Sequence, residues 1–228
     1  MIVVLKHYKQ GNMVYVSHID LLRHFTRAFR RAGLEIEFSE GFNPHMLINL
    51  GTPLPLGMNS SAEYLTVRAN VQSAEEFLEK YNAVAPDGLQ AIQAFAPLLN
   101  PNIAGRVVAA EYSVKAEGAI EKKKEIEGVQ NLLSIEMPVT RKGETKIKEV
   151  APLVNGIRVY PDAVNVCLAA GNTTLRADAF LSFLAEKIGF TAHVEDLWKY
   201  EQYVRVDGML TSTDEYLKKL ESGLPAKE

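Results

Sequence analysis

The spacing of apolar and polar residues predicts short strands alternating with helices along the chain. Residues 2–7 form a β-branched run typical of a strand, and residues 13–16 extend the chain again. From residue 18 to residue 32, apolar side chains recur every three to four positions, as they do on the buried face of a helix. This predicted apolar face comprises Ile19, Leu22, Phe25, Thr26, Phe29 and Ala32.

Polar residues mark where this first helix begins and ends. Ser17 stands at the N-cap position with Asp20 three residues later, which is the Ser-x-x-Asp form of a capping box. Gly33 is the expected C-cap. A polar face should lie opposite the apolar one, and it consists of Asp20, Arg23, His24, Arg27, Arg30 and Arg31.

The order of the remaining elements predicts the fold class. After the helix, strands are expected at 34–38, 46–50, 62–69 and 89–95, with a second helix at 73–83 capped by Ser73. Strand, helix, strand pair, helix, strand is the split βαβ or ferredoxin-like pattern. The second half repeats it, with strands at 107–115, 156–160, 164–169 and 203–206, helices at 120–132 and 175–188, and a hairpin of 134–141 with 145–150 about Lys142 and Gly143.

We therefore expect an α+β protein built from two tandem ferredoxin-like halves with antiparallel sheets. The predicted N-terminal half covers residues 1–99 and carries a cluster of histidines and arginines. The predicted C-terminal half covers residues 103–211, and residues 212–228 form a tail that is a short terminal helix or a frayed end.

The distribution of charge narrows the kind of partner. The net charge is −3, which excludes a generally basic nucleic-acid coat. Residues 1–31 hold six lysines and arginines against one aspartate, a local balance of +5, so the remainder carries −8. A basic local face on an acidic body favours a confined anionic ligand over a long polyanion.

Cysteine content and hydropathy exclude further classes. Cys167 is the only cysteine, so the chain has no intramolecular disulfide and no cysteine-ligated cluster. No apolar stretch approaches the roughly 20 residues needed to span a bilayer. The first residues, MIVVLKHY, lack the apolar segment of a signal peptide, and a cytoplasmic location is expected.

Arginine is the only basic residue other than histidine between residues 17 and 31, which bears on the role of the helix. One interpretation is a solvated helix face with Asp20 paired to Arg23 or His24. The other is an anion-binding strip, because planar guanidinium groups bind phosphate and carboxylate through two parallel hydrogen bonds.

His18 and His45 both lie beside chain turns and are candidate catalytic residues. His18 is explained by local packing with a bond to a neighbouring backbone group, and His45 follows a proline at the end of a turn, where rigid backbone aims its side chain. The pair could instead transfer protons or bind a metal with Asp20 or Glu63. The helical His-x₃-His spacing is missing, and neither a metal centre nor a cofactor is predicted.

The segment 39–45, Ser-Glu-Gly-Phe-Asn-Pro-His, is a turn with restricted backbone. It either packs Phe42 into the core or presents backbone N–H groups and Ser39 to an anion or a base edge. Phe42 and Tyr15 could also stack on bases.

A long spaced motif carries a resemblance to a known family. It runs Tyr15-x-Ser-His-x-Asp-Leu-x-Arg23, Arg27-x-x-Arg-Arg31, Ser39-x-Gly-Phe-Asn-Pro-His45 and Pro53-Leu-Pro-Leu-Gly57, with Ser61 and Glu63. It resembles the radical SAM-linked family of unknown function, DUF2344. The resemblance implies a radical SAM partner of the cobalamin-binding type, either fused to the chain or encoded beside it.

The chain lacks the Cys-x₃-Cys-x₂-Cys cluster motif of the radical enzyme and cannot be that catalyst. We expect an accessory protein for it that binds an anionic substrate, with RNA (tRNA or rRNA) as the expected class. The alternatives are an RNA-processing or other phosphate-acting enzyme that uses His18 and His45, and an interaction module that docks the radical SAM partner. The candidate substrate-binding residues are Tyr15, Ser17, Arg23, Arg27, Arg30, Arg31, Ser39, Phe42, Asn43 and Glu63.

Overall fold

A computed structural model of the chain describes residues 1–141 and 143–224. Within these ranges the helices are α1 (His18–Arg31), α2 (Ala74–Asn82), α3 (Ile103–Arg106), α4 (Lys123–Gly128), α5 (Ala177–Ile188) and α6 (Thr213–Glu221). The strands are β1 (Ile2–Lys9), β2 (Ile48–Leu50), β3 (Asn59–Arg68), β4 (Ala91–Phe95), β5 (Val107–Glu117), β6 (Glu136–Arg141), β7 (Glu144–Glu149), β8 (Val154–Val159), β9 (Ala163–Ala169), β10 (Thr191–Ala192), β11 (Trp198–Val206) and β12 (Met209–Ser212). The predicted α+β class is confirmed.

The chain divides into two compact units. Unit 1 comprises residues 1–107 together with 202–228, and unit 2 comprises residues 108–201. The division between the sequence ranges 1–99, 103–211 and 212–228 stays a prediction. The terminal helix expected after residue 212 is present as α6, whose N-cap hydroxyl on Ser212 accepts from the backbone N–H of Glu215 at 3.2 Å.

The sheet of unit 1 has the ferredoxin-like strand arrangement. β1 pairs with β4 on one side and with β3 on the other, and β2 pairs with the far edge of β3. All three pairings are antiparallel. With α1 between β1 and β2 and α2 between β3 and β4, this is the split βαβ topology that the sequence predicted.

Aromatic side chains fill the space between the sheet of unit 1 and its two helices. Phe25 and Phe29 of α1 meet Phe77 and Tyr81 of α2, with ring centroids 5.4 to 5.8 Å apart. All four side chains are fully buried. They pack over Val3, Leu5, Leu65 and Val67 from the two central strands. Since large buried side chains dominate the energy of a core, this cluster fixes α1 against the sheet.

The capping of α1 is confirmed, but part of its predicted apolar face is wrong. The Ser17 hydroxyl accepts from the backbone N–H of Asp20 at 3.2 Å, and the helix runs from His18 to Arg31. The buried residues are Leu21, Phe25, Ala28 and Phe29, whereas Ile19 is 63% exposed and Leu22 is 36% exposed. Two overlapping stripes share Phe25 and Phe29, and packing against the sheet selects the one containing Leu21.

Three other local predictions are also wrong in part. Residues 13–16 are not extended, because Gly11–Tyr15 forms a 3₁₀ turn. Residues 34–38 make only isolated bridges through Ile36 and Phe38. The helix predicted at 120–132 is limited to α4 and the 3₁₀ turn Val129–Asn131 that follows it, consistent with the low helix propensity of Gly128.

Unit 2 repeats the strand arrangement with an inserted hairpin. β5 pairs with β9 and β9 with β8, both antiparallel, and β11, which begins in this unit at Trp198, lies next to β5. α4 precedes β8 and α5 follows β9, so this half is ferredoxin-like as well. β6 and β7 form the predicted hairpin, whose expected turn residue Lys142 lies outside the described residues.

Substitution of the neighbouring residues Leu21 and Leu22 tests which face of α1 is buried. Leu21→Ala should lower the free energy of unfolding by about 2–5 kcal/mol, because it leaves a cavity in the aromatic core. Leu22→Ala removes the same atoms from a partly exposed site and should cost less than about 1 kcal/mol. Urea unfolding of the two variants measures this difference. Equal losses would contradict the assignment of the buried face.

Candidate functional site

The exposed side of α1 carries Arg23, Arg27, Arg30 and Arg31, which we call the arginine row. Arg23 donates from Nη1 to Oδ1 of Asp20 at 3.0 Å, and the Ser17 hydroxyl donates to the other carboxylate oxygen at 2.7 Å. These hydrogen bonds, that from Ser17 first, lower the pKa of Asp20 below its usual value. Arg23 is therefore held in a local ion pair at the start of the helix.

The later arginines of α1 are not paired with a carboxylate in the described part of the chain. Arg31 donates to the backbone carbonyl of Val84 at 3.4 Å, which ties its end of the helix to the loop after α2. Arg27 and Arg30 are exposed, and neither forms an ion pair with any carboxylate in the described part of the chain. They lie three residues apart and so project from the same side of the helix. Among the described residues, these two guanidinium groups are the cations of the row that have neither an ion pair nor a hydrogen bond.

Apolar side chains accompany the arginines on the same helix. Ile19 and Leu22 are also three residues apart, and the preceding Tyr15 is 73% exposed. The peptide N–H of Gly57 donates to the carbonyl of Val14 at 3.0 Å, which brings the exposed Leu56 close to this end of α1. The exposed face of α1 thus carries an apolar stripe beside a cationic one.

The turn at residues 39–45 is held closed by the residues at its two ends. The backbone N–H of Ser39 donates to the carbonyl of His45 at 2.8 Å, and that of His45 donates to the Ser39 hydroxyl at 3.1 Å. The same hydroxyl lies 2.9 Å from Nδ1 of His45. Gly41 has φ of 117°, a conformation that favours glycine.

Phe42 at the tip of this turn is fully exposed. The interpretation that packs Phe42 into the core is therefore wrong. The hydrogen-bonded turn at residues 39–45, which we call the braced turn, instead holds this ring in solvent, where it can contact a ligand or a partner.

A polar cavity lies where β1 and β3 emerge beneath the start of α1. Its volume is about 20 Å³, and its lining includes His7, Lys9, His18 and Glu63. His7 and Glu63 are directly opposite in the register of β1 with β3, so their side chains share a face. A polar cavity of this size holds about one water molecule, too little for an organic substrate.

The ring of His7 has a defined orientation in this cavity. Its Nδ1 lies 2.8 Å from the carbonyl oxygen of Tyr8, and because a carbonyl only accepts, Nδ1 carries the proton that is donated. The ring also packs edge-on against Phe25, with centroids 5.0 Å apart. In neutral His7 the acceptor nitrogen is consequently Nε2, which suits a proton-transfer role.

Sequence reasoning missed His7 and Lys9. The alternation of Val3, Leu5 and His7 could have identified His7 as a buried residue. Side chains two residues apart on a strand share a face, and Val3 and Leu5 lie on the face that packs into the core. Lys9 is harder to assign, since the register of β1 with β3 shifts between His7 and Lys9.

The structure groups the predicted site residues into three places. His18 and Glu63 line the cavity, Ser39, Phe42, Asn43 and His45 belong to the turn, and the arginines lie along α1 with Ser17 at its start. No contact between His18 and His45 is described within residues 1–141 and 143–224, and their joint catalytic role stays a prediction. The described residues contain no group of three His, Cys, Asp or Glu side chains that could hold a metal ion.

These features define an α+β protein with two ferredoxin-like halves, the first of which carries the arginine row, the braced turn and the histidine-lined cavity. The chain belongs to the family DUF2344, described as "Uncharacterized protein conserved in bacteria", whose profile matches residues 3–177. This agrees with the motif seen in the sequence.

Other comparisons add little to the family assignment. The structure titled "Crystal Structure of a Cbf5-Nop10-Gar1 Complex" is similar at a TM-score of 0.45 and 12% sequence identity. The match covers 98% of this chain and 57% of the other, so the chain spans little more than half of the length of that protein. Comparison with the curated proteins gave no match. Among the described residues, no helix has both the length and the apolar character needed to cross a membrane.

His24 lies between the arginine row and the core. Its Nε2 is buried and makes no hydrogen bond to any described residue, while its ring packs edge-on against Phe25 at 5.4 Å. Desolvation, and to a smaller extent the charge of Arg31, lower the pKa of His24 below 6.5. At neutral pH the folded protein therefore holds this ring in the neutral form.

The low pKa of His24 predicts a pH-dependent stability. Because the unfolded chain binds a proton here more readily than the folded one, the contribution is complete above pH 6.5 and is lost as the pH falls through the folded-state value. His24→Gln should flatten this part of the curve of unfolding free energy against pH. Urea unfolding between pH 5 and 8, with NMR titration of the His24 ring, measures it. A ring that titrates at or above 6.5 in the folded protein would contradict this account.

Proposed function

We propose that the protein is a cytoplasmic accessory factor for a radical SAM enzyme of the cobalamin-binding type, and that it binds RNA (tRNA or rRNA) as substrate. The radical SAM association rests on the spaced motif of residues 15–63. The choice of an anionic substrate rests on the exposed side chains of α1.

The observation that carries the RNA proposal is the pair of exposed guanidinium groups on Arg27 and Arg30. Neither forms an ion pair in the described chain, so binding a phosphate would not first require breaking one. Arginine binds phosphate oxygens through two parallel hydrogen bonds, which a solvated lysine does not. A row of this kind fits the repeating phosphates of a nucleic-acid backbone.

Two exposed aromatic residues support a single-stranded or looped RNA. Tyr15 precedes α1 and Phe42 tops the braced turn, and both rings are open to solvent. RNA-binding proteins stack unpaired bases on such rings, at about 1–3 kcal/mol per base. Duplex RNA hides its bases, so the proposed ligand is a loop or an unpaired segment.

Reversing the charge of the arginine row tests RNA binding. Arg27→Glu combined with Arg30→Glu should weaken binding of a structured RNA at least about tenfold and reduce the slope of log affinity against log salt by about two, because two phosphate contacts are lost. Fluorescence anisotropy with a labelled tRNA at several salt concentrations measures both quantities.

Lys124→Glu is the matched control, since Lys124 is an exposed cation on α4 without a described ion pair. It should leave affinity and salt slope near the wild-type values. The proposal fails if wild-type protein does not bind RNA in the micromolar range, or if the control weakens binding as much as the double variant.

The apolar stripe of α1 favours a second candidate function, docking of the radical SAM partner. Exposed Tyr15, Ile19 and Leu22 beside arginines have the composition of a protein-interaction hot spot rather than of a phosphate-binding surface alone. Under this alternative the arginines pair with carboxylates around an apolar centre on the partner.

A charge placed in the apolar stripe separates the two functions. Ile19→Asp should weaken the complex with the radical SAM enzyme at least about tenfold, because a carboxylate would be desolvated at the centre of the contact. Ile147→Asp is the control, since Ile147 has the same 63% exposure but lies in unit 2. Isothermal titration calorimetry with the purified partner measures the affinities. Equal affinities for the two variants would exclude docking through α1.

A further inference from the structure

The face of the unit 1 sheet that points away from α1 and α2 carries a groove. Leu65 and Val67 of β3 belong to the core under the helices, so Thr66 between them points to the opposite face. Two adjacent cavities of about 360 and 160 Å³ lie there. Both are lined by Asn49, Thr66 and Asn100, and together they form what we call the asparagine groove.

Strand pairing fixes the polar groups in this groove. Asn49 of β2 lies directly opposite Thr66 of β3, which places their side chains side by side. Neither side chain makes a hydrogen bond to any other described residue. The exposed Asn49 amide and the Thr66 hydroxyl, whose residue is only 7% exposed but lines both cavities, can therefore meet a ligand within the groove.

Asn100 supplies a further amide from the loop after β4. Its Oδ1 accepts from the backbone N–H of Asn102 at 3.1 Å, which orients the side-chain NH₂ group as the donor. The middle of the groove thus offers donors and acceptors from three short, uncharged side chains.

One end of the larger cavity is lined by the cationic side chain of Arg68. Arg68 lies two residues after Thr66 and so shares its face, and its Nε is 3.7 Å from a carboxylate oxygen of Glu37. Ile2 and Leu47 complete this end with apolar surface. A guanidinium, a carboxylate, an apolar wall and a set of amides therefore occur along one groove.

This set of groups fits the parts of a nucleotide. Asparagine amides pair with the donor and acceptor edge of a base, adenine above all, and the guanidinium of Arg68 suits a phosphate. The Glu37 carboxylate can accept from ribose hydroxyls. The larger volume lies within the range of about 300–1,000 Å³ for sites that bind small molecules.

We propose that the asparagine groove is a nucleotide-binding site in which Asn49, Thr66 and Asn100 contact the base and Arg68 the phosphate. Where the nucleotide is part of an RNA chain, this proposal rests on the proposed function, because the groove then reads one unpaired base of the substrate. A free nucleotide has the same chemistry and would use the same contacts.

Mononucleotides are the direct test. Calorimetric titration of the full chain with AMP, GMP, CMP and UMP should show saturable binding of at least one of them below millimolar concentration. Asn49→Leu and Thr66→Val should each weaken it about tenfold, as expected for the loss of one good base contact. Arg68→Gln should weaken nucleotide and inorganic phosphate together, while the nucleoside without phosphate binds as before.

Matched variants in unit 2 provide the controls. Asn131→Leu and Arg158→Gln change exposed residues of the same types and should leave nucleotide affinity unchanged. Thermal unfolding of each variant confirms that it is folded, and Thr66→Val preserves side-chain shape if Asn49→Leu does not fold. The proposal is overturned if none of the four nucleotides binds at millimolar concentration. It is also overturned if Thr66→Val and Arg68→Gln both bind nucleotide as the unmodified chain does.

The same titrations distinguish this inference from the RNA proposal. The double charge reversal at Arg27 and Arg30 should weaken RNA binding at least about tenfold and leave mononucleotide binding intact, because those residues do not line the groove. Mononucleotide binding without RNA binding would support a free nucleotide as the ligand. If RNA binds, the groove variants do not change its affinity, and no mononucleotide binds, then the RNA proposal stands and the proposal of a nucleotide site in the groove is rejected.

Discussion

The antiparallel pairing of β1 with β3 determines which residues of unit 1 form the core, the polar cavity and the asparagine groove. Its register places Leu5 opposite Leu65 and Val3 opposite Val67, and these pairs form the floor of the aromatic core. Because side chains alternate along a strand, the same register sends Thr66 and Arg68 to the opposite face. A shift of one residue would exchange the core with the groove, so the burial of the floor specifies both.

The alternation of side chains along β1 and β3 also explains why this unit contains buried charged and titratable groups. His7 and Glu63 continue the row of Leu5 and Leu65 beyond the area that the aromatic cluster covers. Lys6 and Tyr64 face the other way and meet Asp214 of α6, each at 2.6 Å. Buried charges are tolerated when they are paired and hydrogen-bonded, and here the C-terminal segment supplies the carboxylate.

The sequence predicted those features that depend on local chemistry. The Ser17 cap, the order of elements in both halves and the 136–149 hairpin follow from capping, turn and periodicity rules that act within about ten residues. The buried stripe of α1 could not be found this way, because Leu21 and Leu22 both continue a helical spacing through Phe25. Only packing against the sheet decides between them, and it places Leu21 in the core with Leu5 and Leu65.

Charge also limits how the protein can bind a nucleic acid. With a net charge of −3, the whole chain offers no general attraction to a polyanion, so the binding energy has to come from a few fixed contacts. Arg27 and Arg30 can neutralise only about two phosphates, which by themselves support weak and salt-sensitive binding. Useful affinity would then require additional contacts with bases, from the exposed rings of Tyr15 and Phe42 or from the amides of the asparagine groove. A ligand that combines few phosphates with accessible bases is a short unpaired RNA segment, and a long duplex does not meet this requirement.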